Sequence, residues 1–259
     1  MIAAALLCLA AGFAQDPQAL RAYDRATSLF VAKKFPECLD AIEEALKVDP
    51  KLVPALTLKA KLAMAMNRFD IARQSLERAI AIDPASHYAR FLLGFQHYLQ
   101  NDLQLALPEL ERARKMNPKD ARTALYLGLT YESLGDTGRA ISSYQDAVRI
   151  EEAAGKPQTE TLLTYARLLL LLDRFEDCAK VVDRAVRLDP NSREARFERV
   201  RLLLKQGDAA AAAREGEAAL RLPSAGVADE QIRYLLVRAY GLAGQDKKAA
   251  AHAAALRKK

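Results

Sequence analysis

Four short motifs set the period of this chain. "VDP" at 48–50, "IDP" at 82–84, "MNP" at 116–118 and "LDP" at 188–190 place prolines at positions 50, 84, 118 and 190. The spacings are 34, 34 and 72 residues, the last being two periods and four extra residues. A fixed 34-residue period predicts stacked helical units rather than one closed core. The texture before the prolines agrees, since "AIEEALKVDP", "SLERAIAIDP" and "VVDRAVRLDP" are amphipathic segments that stop at Asp-Pro. Proline lacks an amide hydrogen and biases its predecessor out of helical geometry, so each motif ends a helix.

Composition supports an all-α reading. Alanine and leucine dominate, glycine (11) and proline (10) are few, and 51 % apolar residues spread along the length exclude a disordered chain. The net charge of +6 comes from 39 basic and 33 acidic residues that are interspersed, with no basic run or recognition motif, so nucleic acid is not an expected partner. No Gly-rich phosphate loop, nucleophile elbow, zinc-binding histidine pair or dinucleotide fingerprint is present, and the repeats leave no room for an appended catalytic domain. The pairs Glu43-Glu44 and Glu151-Glu152 read as solvated surface. His87, His97 and His252 are scattered without a second ligand at metal spacing. A non-catalytic protein without cofactor or metal is expected.

The first fourteen residues, "MIAAALLCLAAGFA", differ in kind. They carry no charge, have the apolar length of a signal-peptide core, and offer Gly12 and Ala14 for cleavage before Gln15, although a basic start is missing. A span needs roughly 20 apolar residues, so this segment is too short to be an anchor. Residues 1–14 are read as a signal peptide, which predicts an exported, bacterial periplasmic protein with no membrane span in the mature chain. If the segment is retained, the expectation becomes a cytoplasmic protein. Cys8 lacks the small residue usual ahead of a lipidated cysteine.

Aligned on the period, the units share further residues. The fourth has Leu127, Gly128, Tyr131, Ala140, Tyr144 and Ala147; the third has Leu93, Gly94, Ala106, Leu110, Ala113 and Pro118. The second keeps Leu56, Ala60, Ala63, Ala72, Leu76, Ala79 and Pro84, and the fifth Leu162, Ala166, Leu169, Cys178, Val182, Ala185 and Pro190. In this pattern the chain resembles the tetratricopeptide repeat family over residues 19–259. The resemblance implies a right-handed α-solenoid of about seven helix-turn-helix repeats. Repeats 1–4 span 19–154, "GKPQ" at 155–158 is an inserted linker and candidate subdomain boundary, and repeats 5–7 span 159–259 with a C-terminal capping helix. The sixth repeat is degenerate, with Arg199, Val200 and Gly216 at positions that ask for Leu, Gly and a large apolar residue.

Small residues at Gly94, Gly128, Ala72, Ala106 and Ala140 predict close approach of paired helices, where a bulkier side chain costs about 1–3 kcal/mol. Cys38 and Cys178 occupy equivalent small-residue positions four repeats apart. With helices packing roughly 8–10 Å apart they lie beyond the roughly 7 Å reach of a disulfide, so both read as buried packing residues.

In the resembled family the first helix of each repeat lines a concave groove through its positions 2, 5, 9 and 12. Carried over, that rule gives Tyr23 and Phe30, Met64, and the stripe Tyr88, Phe91, Phe95 and Tyr98 in the first three repeats. In the last three it gives Arg167, Arg201 and Arg238 at one repeated position, with Phe197 and Tyr234 beside them. Aromatics suit apolar anchors and arginines suit carboxylates, so the implied partner is a protein or peptide segment with apolar and acidic residues. Other coverings stay open. The aromatics could serve a second copy of the chain or the array's own packing, and the arginines could pair internally with Glu160 and Glu194. The lysine and asparagine of a chaperone-type carboxylate clamp are not matched, since the first repeat has Tyr23 and Thr27. The function implied is a scaffold or adaptor. The alternatives are a self-associating subunit of an envelope, secretion or assembly complex, and the regulatory subunit of an enzyme on another chain.

Overall fold

A computed structural model describes residues 16–223 and 226–257. The segment read as a signal peptide, Cys8 and the last two lysines lie outside the described residues. Among the described residues every regular element is an α-helix: α1 (Pro17–Val31), α2 (Phe35–Val48), α3 (Val53–Ala65), α4 (Phe69–Ile82), α5 (His87–Leu99), α6 (Leu103–Met116), α7 (Ala121–Ser133), α8 (Thr137–Ala153), α9 (Thr159–Leu171), α10 (Phe175–Leu188), α11 (Arg193–Lys205), α12 (Ala209–Leu220), α13 (Asp229–Leu242) and α14 (Asp246–Leu256). Consecutive helices pair as α1 with α2 through α13 with α14, giving the seven helix-turn-helix repeats of an all-α repeat fold.

The proline motifs do more than stop helices. In each, the Asp or Asn side chain accepts a hydrogen bond from the backbone N–H two residues on: Lys51 N–H to Asp49 at 2.9 Å, Ala85 to Asp83 at 3.0 Å, Lys119 to Asn117 at 3.1 Å and Asn191 to Asp189 at 3.0 Å. This is an Asx turn, and it explains why only Asp or Asn precedes the proline in these motifs. Within each repeat, the turn between the two helices needs one residue of positive φ. Asn67, Asn101 and Asp173 supply it with short polar side chains, and Gly135, Gly207 and Gly244 with none. Lys33, at φ 57°, has neither advantage. The left-handed conformation costs an L-residue about 1–2 kcal/mol, while glycine's extra unfolded freedom costs about 0.5–1. Lys33→Gly is therefore expected to raise stability by up to about 1 kcal/mol, read as a higher midpoint of thermal unfolding.

The chain divides into two compact units, one ending at Lys119 and one beginning at Asp120. In the first, α2 packs on α3 and α4 on α5, while the first helices α1, α3 and α5 also touch in series. Its core includes Ala26, Cys38, Ile42, Leu56 and Leu62, all at most 2 % exposed. In the second, α8 packs on α9, α10 on α11 and α12 on α13, and α9, α11 and α13 touch in series. First helices thus lie side by side along α1, α3 and α5 in one unit and along α9, α11 and α13 in the other.

The division does not coincide with the insertion at 155–158, which lies inside the second unit. Lacking the proline of its sister repeats, α8 runs to 17 residues and ends at Ala153, with Gly155 at φ 66° just beyond it. Glu151 then fastens the insertion: its carboxylate accepts hydrogen bonds from Thr161 Oγ1 at 2.7 Å and Gln158 N–H at 3.1 Å. Burial pushes its pKa upward. Glu151 is thus half-buried and structural rather than solvated surface, because α8 overruns its usual length and brings the carboxylate to the start of α9.

Two anomalies of the sixth repeat are compensated by neighbours. A Cβ at Gly216 would stand 2.7 Å from Leu236, so the missing large residue is replaced by a side chain of the next repeat. Arg199 reaches the preceding repeat, its guanidinium donating to Asp183 at 2.7 Å.

Candidate partner-binding surface

In the first unit the residues carried over from the repeat pattern lie on α1, α3 and α5. Spacings of three and four residues put Tyr88, Phe91 and Phe95 on one stripe of α5, where successive rings stack with centroids 6.2 and 6.1 Å apart. Phe91 and Met64 are 5 % and 7 % exposed and belong to the interior, which withdraws them from direct contact with a ligand. Tyr88, Phe95 and Tyr98 are half-buried, as are Tyr23 and Phe30, which pack against the first core. Lys61 Nζ sits 4.8 Å from the centre of the Phe30 ring, placing a cation on this aromatic face.

The second unit carries the arginines, and here the internal pairing differs from that expected. Arg167 Nε donates to Glu198 Oε1 at 2.9 Å and Arg201 Nη1 to Glu198 Oε2 at 2.7 Å. Neither Glu160 nor Glu194 is the acceptor; Glu194 instead accepts from Ser192 Oγ at 3.4 Å. Glu198 lies one turn before Arg201 on α11, and its side chain is only 5 % exposed. A buried carboxylate needs compensation, and the two guanidiniums provide it. Their own side chains remain 51 % and 41 % exposed, so each retains donors facing solvent. Glu198 therefore positions two cations.

Arg201 continues into a cleft of about 280 Å³ with Lys205 and Arg238 at its rim and Leu170, Leu171, Leu204 and Leu235 as its apolar wall. Leu171, 72 % exposed, lines this cleft together with Arg201 and Arg238. Tyr234 is exposed on α13 and Phe197 half-buried against the second core. Thus Arg201 and Arg238 meet at one cleft, and Arg167 is tied to Arg201 through Glu198. Sequence reasoning missed Glu198, Lys205 and Leu171. The signal for Glu198 was an acidic residue three positions before an arginine on the same helix.

Cys38 and Cys178 are free and buried, each thiol directed at the carbonyl of the residue twelve positions back, Ala26 and Ala166. Burial pushes the Cys178 thiol up to about 11, so it is an inert packing group. Among the described residues no group of three or more His, Cys, Asp or Glu forms a metal-ligand set, and no helix is long and apolar enough to cross a membrane.

Family models described as tetratricopeptide repeat match residues 57–109, 96–157 and 159–202. Among solved structures, Pseudomonas aeruginosa PilF is 17 % identical, with 85 % of this chain and 98 % of that chain covered at a TM-score of 0.72. The APC/C hetero-tetramer Cut9-Hcn1 is 18 % identical, with 86 % of this chain and 42 % of that chain covered at a TM-score of 0.69. YrrB, described as a TPR protein with an unusual peptide-binding site, is 18 % identical, with 68 % and 89 % covered at a TM-score of 0.52. At these identities the likeness is one of fold. No curated protein matches the sequence.

Proposed function

The chain belongs to the tetratricopeptide repeat family, and on that premise we propose that it is a non-catalytic scaffold holding a segment of a protein partner on the first-helix faces of its repeats. The observation that carries this reading is the cleft of the second unit, where four leucines meet Arg201, Lys205 and Arg238. An apolar wall takes aliphatic side chains of a partner, and Arg201 and Arg238 select carboxylates beside them, Lys205 Nζ being paired with Asp173 at 3.3 Å. The half-buried Tyr88, Phe95 and Tyr98 of the first unit provide a separate aromatic face for apolar anchors. The peptide-binding site named for YrrB supports the same mode of use.

A fluorescein-labelled nonapeptide of alternating leucine and glutamate is the probe. Saturable binding to the full chain is expected by fluorescence anisotropy, weakening as salt screens the charges. Arg238→Ala should lower affinity about tenfold, the usual scale for losing one charge-assisted contact. Equal binding of the glutamine-for-glutamate peptide, or an unchanged affinity in Arg238→Ala, overturns the reading. Because Phe91 is interior, the aromatic face is tested at Phe95 and Tyr98.

The apolar, charge-free residues 1–14 support action in the cell envelope, with export removing that segment. The N-terminal residue of the protein isolated from its own cells decides this: Gln15 in the periplasmic fraction supports export, and Met1 in the cytoplasm refutes it.

A further inference from the structure

Three of the exposed large apolar residues of the first unit gather at one place outside the first-helix faces. Leu39 on α2, Met66 after α3 and Ile71 on α4 are 37 %, 42 % and 38 % exposed, and they surround a cleft of about 110 Å³ floored by Leu62 and Ala63. Its remaining walls are two cations, Lys59 and Arg68. At 3.6 residues per turn, Lys59, Leu62 and Met66 lie about half a turn round α3 from Met64, the position carried over as partner-facing, and from Lys61, the cation on the aromatic face. The cleft therefore opens on the opposite side of α3.

The two cations differ in availability. Lys59 Nζ is paired with Glu43 at 2.6 Å, whereas Arg68, exposed at the N-cap of α4, makes no ion pair among the described residues. An apolar cleft sized for one branched side chain, with an uncommitted guanidinium at its edge, is complementary to an aliphatic residue next to a carboxylate. We propose that this cleft is a second docking point, on the face of the first unit away from the partner-facing surface, for a protein segment that inserts one leucine-sized side chain and presents a neighbouring Asp or Glu to Arg68. This inference does not rest on the reading of the second-unit cleft. Sites on two faces of the first unit would let the chain hold two segments at once, as a bridging scaffold requires.

The probe is N-acetyl-Asp-Leu-amide, titrated into the full chain carrying labelled methyl groups and followed by NMR. Saturable shifts are expected at Leu39, Leu62 and Ile71, with at least about tenfold weaker binding for Asp-Ala, which loses most of the buried apolar surface. Asn-Leu should bind several-fold more weakly than Asp-Leu in the wild type but equally in Arg68→Gln. Ile71→Glu, an exposed substitution, should abolish the shifts while leaving helicity and the unfolding midpoint unchanged. Shifts centred on Met64 instead of Ile71, equal binding of Asp-Ala, or no saturation would overturn the proposal. So would a dimer in sedimentation equilibrium that Ile71→Glu dissociates, because a second copy would then be the occupant.

Discussion

Gly128→Ala is expected to destabilise the second unit by about 1–3 kcal/mol through overpacking. A Cβ there would stand 2.5 and 2.6 Å from Cε1 and Cδ1 of Tyr144, closer than such atoms come. The ring cannot yield easily. Tyr144 is fully buried, its hydroxyl donates to Glu132 Oε2 at 2.5 Å, and its ring lies 6.0 Å from that of Tyr165. Gly241→Ala is the control, since nothing lies within 4 Å of a Cβ at that helical position. It should gain about 0.5–1 kcal/mol from helix propensity alone. Urea unfolding compares the two, and hydrogen exchange locates the loss: protection should fall in α7 and α8 and persist in α1 and α2. A Gly128→Ala protein as stable as wild type would show that the close approach of α7 and α8 is not required.

The second large effect concerns a buried cation. Arg193, 2 % exposed at the start of α11, donates to the carbonyl of Leu222 at 3.2 Å and to Asp229. The two contacts tie α11 to the segment that leads into α13. Asp229→Asn keeps the shape but leaves the buried guanidinium without a counter-charge, a change that typically costs about 3–5 kcal/mol when both partners are buried. Asp229 is 46 % exposed, so water offsets part of that loss and a value near or below the lower end is expected. Arg193→Met removes the buried charge and leaves a carboxylate that water can reach; it should be markedly milder. The opposite ranking in urea unfolding would refute this account. The hydrogen bond from Arg193 holds the Asp229 carboxyl below the usual carboxylate range. Its folded pKa being depressed, the stabilisation is present above the ordinary carboxylate pKa and lost as pH falls through the folded value. The Asp229→Asn protein should therefore show a shallower loss of stability with acid than wild type.

Much of the fold was legible because its causes are local. The Asp-Pro motifs carry both the helix stop and the Asx turn within three residues, and the 34-residue spacing follows from them. Gly94 and Gly128 marked close approaches correctly, with Leu110 and Tyr144 as the opposing side chains. The site was legible only as a set of helix faces. Phe91 and Met64 shared the spacing of their half-buried neighbours yet lie inside, because spacing fixes the direction of a side chain and not the depth of what packs over it.

The sequence by itself determined the helices, their pairing and the free, buried state of Cys38 and Cys178, since each depends on a repeated residue at a repeated place. Only the tertiary structure decided which charges remain available. Glu198 rather than Glu160 or Glu194 holds Arg167 and Arg201, and Glu151 turns inward to secure the 155–158 insertion. Ion pairing between repeats depends on distances across some thirty residues of chain, such as the 31 that separate Arg167 from Glu198. Periodicity brings such residues to the same layer, but which carboxylate stands between the guanidiniums depends on how the neighbouring helices pack, and the two ion pairs offset the cost of burying it.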